Sequence, residues 1–140
     1  MIHVYASIDL EHPAEQVWRL IGGFDSLPKW LPMITASEAG EGGRVRTLTL
    51  EDGGVIVERL QVFNEQERNY RYTIERAPLP VRGYLATLQV TAWEKGSRVE
   101  WSSTFEADGV PEAEAKSILE ATYAGGLNAL KERLGDVHGA

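Results

Sequence analysis

Between Met33 and Ala107 the chain repeats one pattern: a run in which apolar and polar side chains alternate, a short turn signal, then another run. MITASE, RVRTLTL, VIVERLQVF, RNYRYTIER, VRGYLATLQVTAW and SRVEWSSTFEA are broken by EGG, EDGG, NEQE, APLP and EKGS. Alternation with a period of two marks half-buried strands, and connectors this short join strands only as antiparallel hairpins. A seventh strand comes first, IHVYASIDL, with Ile2, Val4, Ala6, Ile8 and Leu10 on one side and His3, Tyr5, Ser7 and Asp9 on the other. The expected core is therefore an antiparallel meander, which twists and curves.

Two helical patterns frame it. HPAEQVWRLIGG sets Pro13 at the first turn, gathers Ala14, Val17, Trp18 and Ile21 on one face and stops at Gly22 and Gly23. From Pro111 to Leu134 the pattern is helical again, with acidic residues first, LKERL last and Gly135 as a stop. Ile118, Leu119, Thr122, Tyr123, Gly126, Leu127, Leu130 and Leu134 share its broad face. Such a helix is roughly 36 Å long and does not fill the whole concave face of a curved sheet, so space is expected between them. Gly125 and Gly126, costly in mid-helix, mark a close approach to the sheet, room for a ligand, or a kink.

No repeat, low-complexity segment or linker interrupts the chain, so residues 1–140 read as one domain. Lys and Arg total 14 against 21 Asp and Glu, a net charge of -7, which argues against a nucleic-acid partner. The absence of cysteine removes disulfides, thiolate metal sites and cysteine nucleophiles together. No apolar run reaches the ~20 residues of a membrane span, and MIHVYASIDLEH is not a signal peptide, so the expected location is the cytoplasm.

The segment GFDSLPKWLPMI, 23–34, puts Phe24 and Trp30 beside two prolines that bar both a long helix and a central strand. It reads either as a stiff lid over one end of a cavity or as a plug completing the core.

The order of elements, together with PAEQVWRLIGGFDSLPKWLP, VIVERLQVF and the terminal helix, resembles the START-like superfamily, and within it the SRPBCC or polyketide cyclase/dehydrase-like group, over about residues 2–135. The resemblance implies an α+β helix-grip fold of the START/Bet-v-like kind: a curved seven-stranded antiparallel sheet wrapped around a long C-terminal helix, two short helices between strands 1 and 2, and a mostly apolar cavity. In the plant hormone receptors of this superfamily a glutamate in an E-R-L context faces the cavity, which matches Glu58. The lysine that meets the hormone carboxylate in those receptors would fall near Leu31 and is missing here, and the receptor gate loop is replaced by EDGG, Glu51 to Gly54.

Alternation by itself turns Arg46, Leu48 and Leu50 inward, then Ile56, Glu58, Leu60 and Val62, then Tyr70, Tyr72 and Ile74. On the sixth strand the inward set is Tyr84, Ala86, Leu88, Val90 and Ala92. Trp101 reads equally as core or cavity wall, Trp18 as core, and Trp93 as a surface hairpin residue. The candidate ligand-binding residues are Trp30, Leu48, Leu50, Ile56, Glu58 and Leu60 from the loop and third and fourth strands. Tyr70, Tyr72, Tyr84, Ala86, Leu88 and Trp101 come from the later strands, and Ile118, Thr122, Tyr123 and Gly126 from the terminal helix.

Glu58 is an acid on an apolar face, so it must find a partner or hold a proton. If the EDGG turn sets Leu50 opposite Ile56, Leu48 faces Glu58 and Arg46 reaches it along the diagonal. Glu58 and Arg46 are then candidate catalytic residues or a structural pair. Histidines 3, 12 and 138 lack spaced partners and read as surface residues, so no metal is expected; no phosphate loop, nucleophile elbow or cofactor motif is present. Three functions follow as expectations: a carrier or sensor of a small hydrophobic ligand; a polyketide cyclase/dehydratase-type enzyme moving protons through Glu58, Arg46 or tyrosines; and an interaction protein with a collapsed cavity, whose exposed aromatics form a homodimer patch.

Overall fold

The first two strands of the chain lie at opposite edges of one sheet. The structure is a computed structural model and describes residues 1–135, so His138 lies outside the described residues. Its elements are β1 (Ile2–Leu10), α1 (Ala14–Ile21), β2 (Ile34–Gly40), β3 (Val45–Leu50), β4 (Val55–Asn64), β5 (Asn69–Arg76), β6 (Val81–Trp93), β7 (Gly96–Ala107) and α2 (Glu112–Leu134). Single 3-10 turns at Leu27–Lys29 and Glu41–Gly43 complete the order. The sheet runs β1-β7-β6-β5-β4-β3-β2, every pair antiparallel. Five successive hairpins build β2 to β7, and β1 adds to β7. The link from β1 to β2, made of α1 and the proline loop, must therefore cross from one edge to the other.

Both helices bury the faces their spacing predicts. In α1 the buried residues are Ala14, Val17, Trp18 and Ile21. In α2 they are Ala115, Leu119, Tyr123, Gly126, Leu127 and Leu130, with Glu112 and Glu114 in the first turn and Lys131 and Arg133 in the last, as the helix dipole favours. The helix packs on β1 and β7. No helix among the described residues is long and apolar enough to cross a membrane.

Three expectations need correction. Val62 was expected inward but is 48% exposed, because a bulge between Leu60 and Val62 reverses the alternation. Phe63 has the inward parity instead, pairing with Tyr70 and lying 5.7 Å from the Trp18 ring, although at the rim of the sheet it stays 44% exposed. Ala92 is exposed at the far end of β6. His12 is buried, not on the surface: its turn tucks under the end of α2, where Nε2 donates to the Gly135 carbonyl at 2.9 Å and Ser97 Oγ donates to the His12 carbonyl.

Further bulges at Ile34/Ala36, Val57/Glu58 and Arg82/Leu85 bend the sheet. Gly83, at φ +61°, supplies the left-handed backbone of the last one. Gly126 serves close approach: a Cβ there would lie 2.8 Å from Leu31 Cδ2 and 2.9 Å from Trp101 Cζ3. A Cβ on Gly125 would meet nothing within 4 Å.

Two adjacent substitutions should thus move stability in opposite directions. Gly125→Ala should raise unfolding free energy by about 0.5–1 kcal/mol through helix propensity. Gly126→Ala should lower it by about 1–3 kcal/mol, since the rigid Trp101 ring cannot withdraw. Urea denaturation of both variants checks the pair, and equal shifts would contradict the packing described for α2.

Candidate functional site

On β3 and β4 the inward parity carries one cation and one anion into an apolar face. Arg46 stands directly opposite Glu58, and Leu48 opposite Ile56, so the two ions are cross-strand neighbours and not diagonal ones. The shift of two residues from expectation comes from the turn. Gly53 adopts φ +91°, Asp52 Oδ1 accepts from the Gly54 amide at 2.8 Å, and Leu50 N donates to the Gly54 carbonyl. Gly54 thereby becomes the partner of Leu50, and a shift of two keeps every side chain on its face.

Arg46 is 1% exposed and Glu58 6%. A buried charge persists only when it is paired and hydrogen-bonded, and Arg46 meets that demand in full. Its Nε donates to Glu58 Oε1 at 2.8 Å, and Nη2 lies 2.7 Å from the same oxygen. Its Nη1 donates to the Phe24 carbonyl at 2.6 Å and to Tyr70 Oη at 3.3 Å. The guanidinium carbon also sits 4.1 Å from the Phe24 ring centroid, 4.8 Å from that of Tyr72 and 5.5 Å from that of Tyr70. The crossing loop is therefore gripped twice at Phe24, by its carbonyl and by its ring.

A second polar group lies deeper, between β6, β7 and α2. The hydroxyls of Tyr84 and Tyr123 hydrogen-bond each other, and Trp101 Nε1 donates to Tyr72 Oη at 3.0 Å. Trp101 stacks on Tyr123 with centroids 4.3 Å apart, and the Trp30 ring lies edge-on to Trp101 with centroids 5.9 Å apart. Burial pushes the Tyr72 and Tyr84 hydroxyls well above their ordinary pKa, and the negative charge of Glu58 adds to the rise. Tyr123 is raised by burial, opposed by the nearby hydroxyls of Ser103 and Tyr84. Burial also pushes the Glu58 carboxyl up, against the pull of Arg46.

Two buried polar atoms of this interior have no hydrogen-bond partner, Trp30 Nε1 and Ser103 Oγ. Ser103 lies close enough to Tyr123 to affect its acidity, yet no oriented hydrogen bond joins them.

Most of the predicted lining does converge. Trp30, Leu48, Ile56, Tyr70, Tyr72, Tyr84, Ala86, Leu88, Trp101, Tyr123 and Gly126 are buried on the facing surfaces of sheet, loop and α2. Leu50, Leu60, Ile118 and Thr122 are half-buried around them, with Thr122 Oγ1 donating to the Ile118 carbonyl in its own helix. Two concavities open elsewhere. A groove of about 1050 Å³ runs between Asp9–His12, Trp93–Gly96 and the end of α2. A hollow of about 470 Å³ lies beside the β6 bulge, where Tyr84 is the single predicted residue on its wall.

Nothing in the sequence marks Phe24 as a partner of Arg46, since no local pattern links residues so far apart. It also passed over Ser103, although the parity of Val99, Trp101 and Phe105 already turned Ser103 inward.

The sequence matches the family described as polyketide cyclase / dehydrase and lipid transport along residues 1–135. No curated protein matches. An uncharacterized protein from Bacillus thuringiensis is similar at 49% identity and a TM-score of 0.92, over 94% of this chain and 97% of that one. The protein XoxI from Bacillus cereus is also 49% identical with a TM-score of 0.92, over 94% of both chains. A START superfamily protein from Mycobacterium smegmatis has the same fold at 17% identity, with a TM-score of 0.77 over 94% of this chain and 95% of the other.

Removing one ion of the pair should be worse than removing both. Arg46→Met or Glu58→Leu alone strands a buried charge and should cost about 3–5 kcal/mol, whereas the double variant should cost less than either. Chemical denaturation of the three variants tests this, and additive losses would refute it.

The raised tyrosines set a second expectation. The folded chain keeps protons on Tyr72, Tyr84 and Tyr123 that an unfolded chain releases near about pH 10, so their contribution to stability is intact below that pH and lost as pH rises past it. Phenolate absorbance should therefore appear in step with loss of near-ultraviolet circular dichroism. Full ionisation within a still folded chain would show these hydroxyls to be open to water.

Proposed function

The chain belongs to the polyketide cyclase / dehydrase and lipid transport family, and from that premise we propose that it binds a small hydrophobic molecule, lipid-, polyketide- or aromatic-like, as a carrier or sensor. The molecule sits between the concave face of the sheet and α2. The observation that carries this reading is the pair of unmet polar atoms, Trp30 Nε1 and Ser103 Oγ, inside an interior that is otherwise apolar or internally satisfied. Buried polar groups are nearly always hydrogen-bonded, and an oxygen of a guest supplies what the protein leaves open. An apolar surface with few placed polar groups is also the usual make-up of a small-molecule site.

The loop supports the same reading. Trp30 and Leu31 lie on Trp101 and against Gly126, so this segment is the cover that a guest displaces, and it belongs to a connection free of the sheet's hydrogen-bond ladder.

A second reading, a cyclase- or dehydratase-type enzyme, draws on Glu58, whose burial-raised carboxyl suits proton exchange. The two readings part on turnover: a ligand recovered chemically unchanged after incubation supports the carrier.

Titration with the neutral dye N-phenyl-1-naphthylamine should saturate at one dye per chain and quench the buried tryptophans. Ala86→Trp, which fills the concave face, should weaken binding by about tenfold or more, the scale of a lost apolar contact, while Val62→Trp on the outer face should not. Equal affinity in all three chains would place the dye elsewhere and remove the proposal.

A further inference from the structure

The fold leaves one edge of its sheet unfinished. Among the described residues the backbone of β1 is hydrogen-bonded to β7 alone, and no backbone hydrogen bond reaches Ile2–Leu10 from the other side. Such an edge presents a row of unpaired amides and carbonyls, which natural sheets blunt with prolines, lysines, bulges or short strands. β1 has none of these. Its nine residues pair with β7 without a shift, IHVYASIDL holds neither proline nor lysine, and its one acid, Asp9, is bound by Arg98 of β7 at 2.7 and 3.1 Å. The opposite edge is blunted: β2 bulges between Ile34 and Ala36, and Glu38 stands exposed on a strand, ITASEAG, that contains no cation.

The side chains of β1 are equally incomplete. Ile2, Val4 and Leu10 are buried, yet Ala6 and Ile8, which share their inward parity, stay half-buried at the margin of the core. On the outer face Tyr5 is 57% exposed, held through its hydroxyl, which donates to Glu100 at 2.7 Å.

A strand of the same kind completes this edge, and the chain carries one. Two antiparallel strands match inward with inward residues only in a register that keeps parity. Pairing β1 with β1 of a second copy about Ala6 keeps it and uses all nine residues of the strand. Ile2 then faces the partner's Leu10, Val4 the partner's Ile8, Tyr5 the partner's Ser7 and His3 the partner's Asp9. The half-buried Ile8 gains an apolar neighbour, and the small Ala6 meets itself on the two-fold axis. Charge agrees with this register. Arg98 occupies one site on each Asp9 oxygen, and a carboxylate has about four, so an imidazole N–H from across the axis finds a free acceptor.

We propose that this chain forms a homodimer by antiparallel pairing of β1 with β1, centred on Ala6, which joins the two sheets into one. The contact is isologous and uses up the flat edge, so assembly stops at two copies. One strand pair makes a small interface, and the dimer is accordingly weak and concentration-dependent. The inference stands apart from the ligand reading, because it uses none of the lining residues named above.

Sedimentation velocity of the full chain from about 1 to about 1000 μM, a span suited to a small interface, should show one reversible step from monomer to dimer. His3→Glu sets carboxylate against carboxylate at both ends of the pairing, and Asp9→Lys sets an ammonium against imidazole; each should weaken the dimer at least about tenfold. Mixed in equal amounts, the two variants should dimerise within about threefold of the parent's affinity, since each end of the mixed pair carries complementary groups. Glu38→Lys on β2 should change nothing. Hydrogen exchange reads the contact without any substitution: raising the concentration of the parent chain should protect alternate amides of Ile2–Leu10 and none of Ile34–Gly40.

A chain that stays monomeric over the whole range overturns the proposal. A dimer that neither variant weakens, that the mixture does not restore, or whose added protection falls outside Ile2–Leu10 places the contact elsewhere and overturns it as well.

Discussion

A guanidinium in an apolar interior must be matched on every side, and the way Arg46 is matched organises the rest of the molecule. Glu58 takes two of its nitrogens, Phe24 takes the third through a backbone carbonyl, and three rings cover its faces. These contacts tie β3 to β4, β5 and the crossing loop at once. The loop carries the chain between opposite edges of the sheet and has no ladder of its own, so the hold at Phe24 is what sets its path. Prolines 28 and 32 then limit the conformations left to the segment beyond it.

Once Arg46 and Glu58 have closed on each other, the inner chemistry divides in two. Near β3 and β4 lies a neutralised ion pair with its aromatic sheath. Near α2 lies a set of hydroxyls and indoles, of which Tyr84, Tyr123, Tyr72 and Trp101 satisfy one another and Trp30 and Ser103 do not. The fold shared with START superfamily proteins offers a concave sheet facing a helix, a frame that hosts many activities. What distinguishes this chain is the side-chain accounting within that frame, where charge is settled internally and hydrogen-bonding capacity is left over.

Much of the architecture could be read along the chain. The alternation of Val81–Trp93 marks both ends of β6, and the helical spacing of Ala14, Val17, Trp18 and Ile21 marks the buried face of α1. The inward placement of Arg46 and Glu58 followed from parity. Harder were the points where one residue is added or one turn is tightened. The bulge after Leu60 exchanged Val62 for Phe63, because an inserted residue reverses every side chain beyond it. The EDGG turn closed on Gly54 and moved the pairing by two, bringing Arg46 square onto Glu58. His12 went inside because the β1–α1 turn meets the end of α2, an encounter between residues more than a hundred positions apart.

The amino-acid sequence by itself determined the strands, the antiparallel hairpins that join the second to the seventh, the helical faces and the identity of the two buried ions, since alternation and turn chemistry act between near neighbours. Only the tertiary structure decided which backbone carbonyl completes Arg46, why Gly126 admits no side chain, and which donors stay unmet beside Trp101. Those are matters of distance between segments remote in the chain, and such distances exist only after the sheet has curved and the loop and α2 have closed over it.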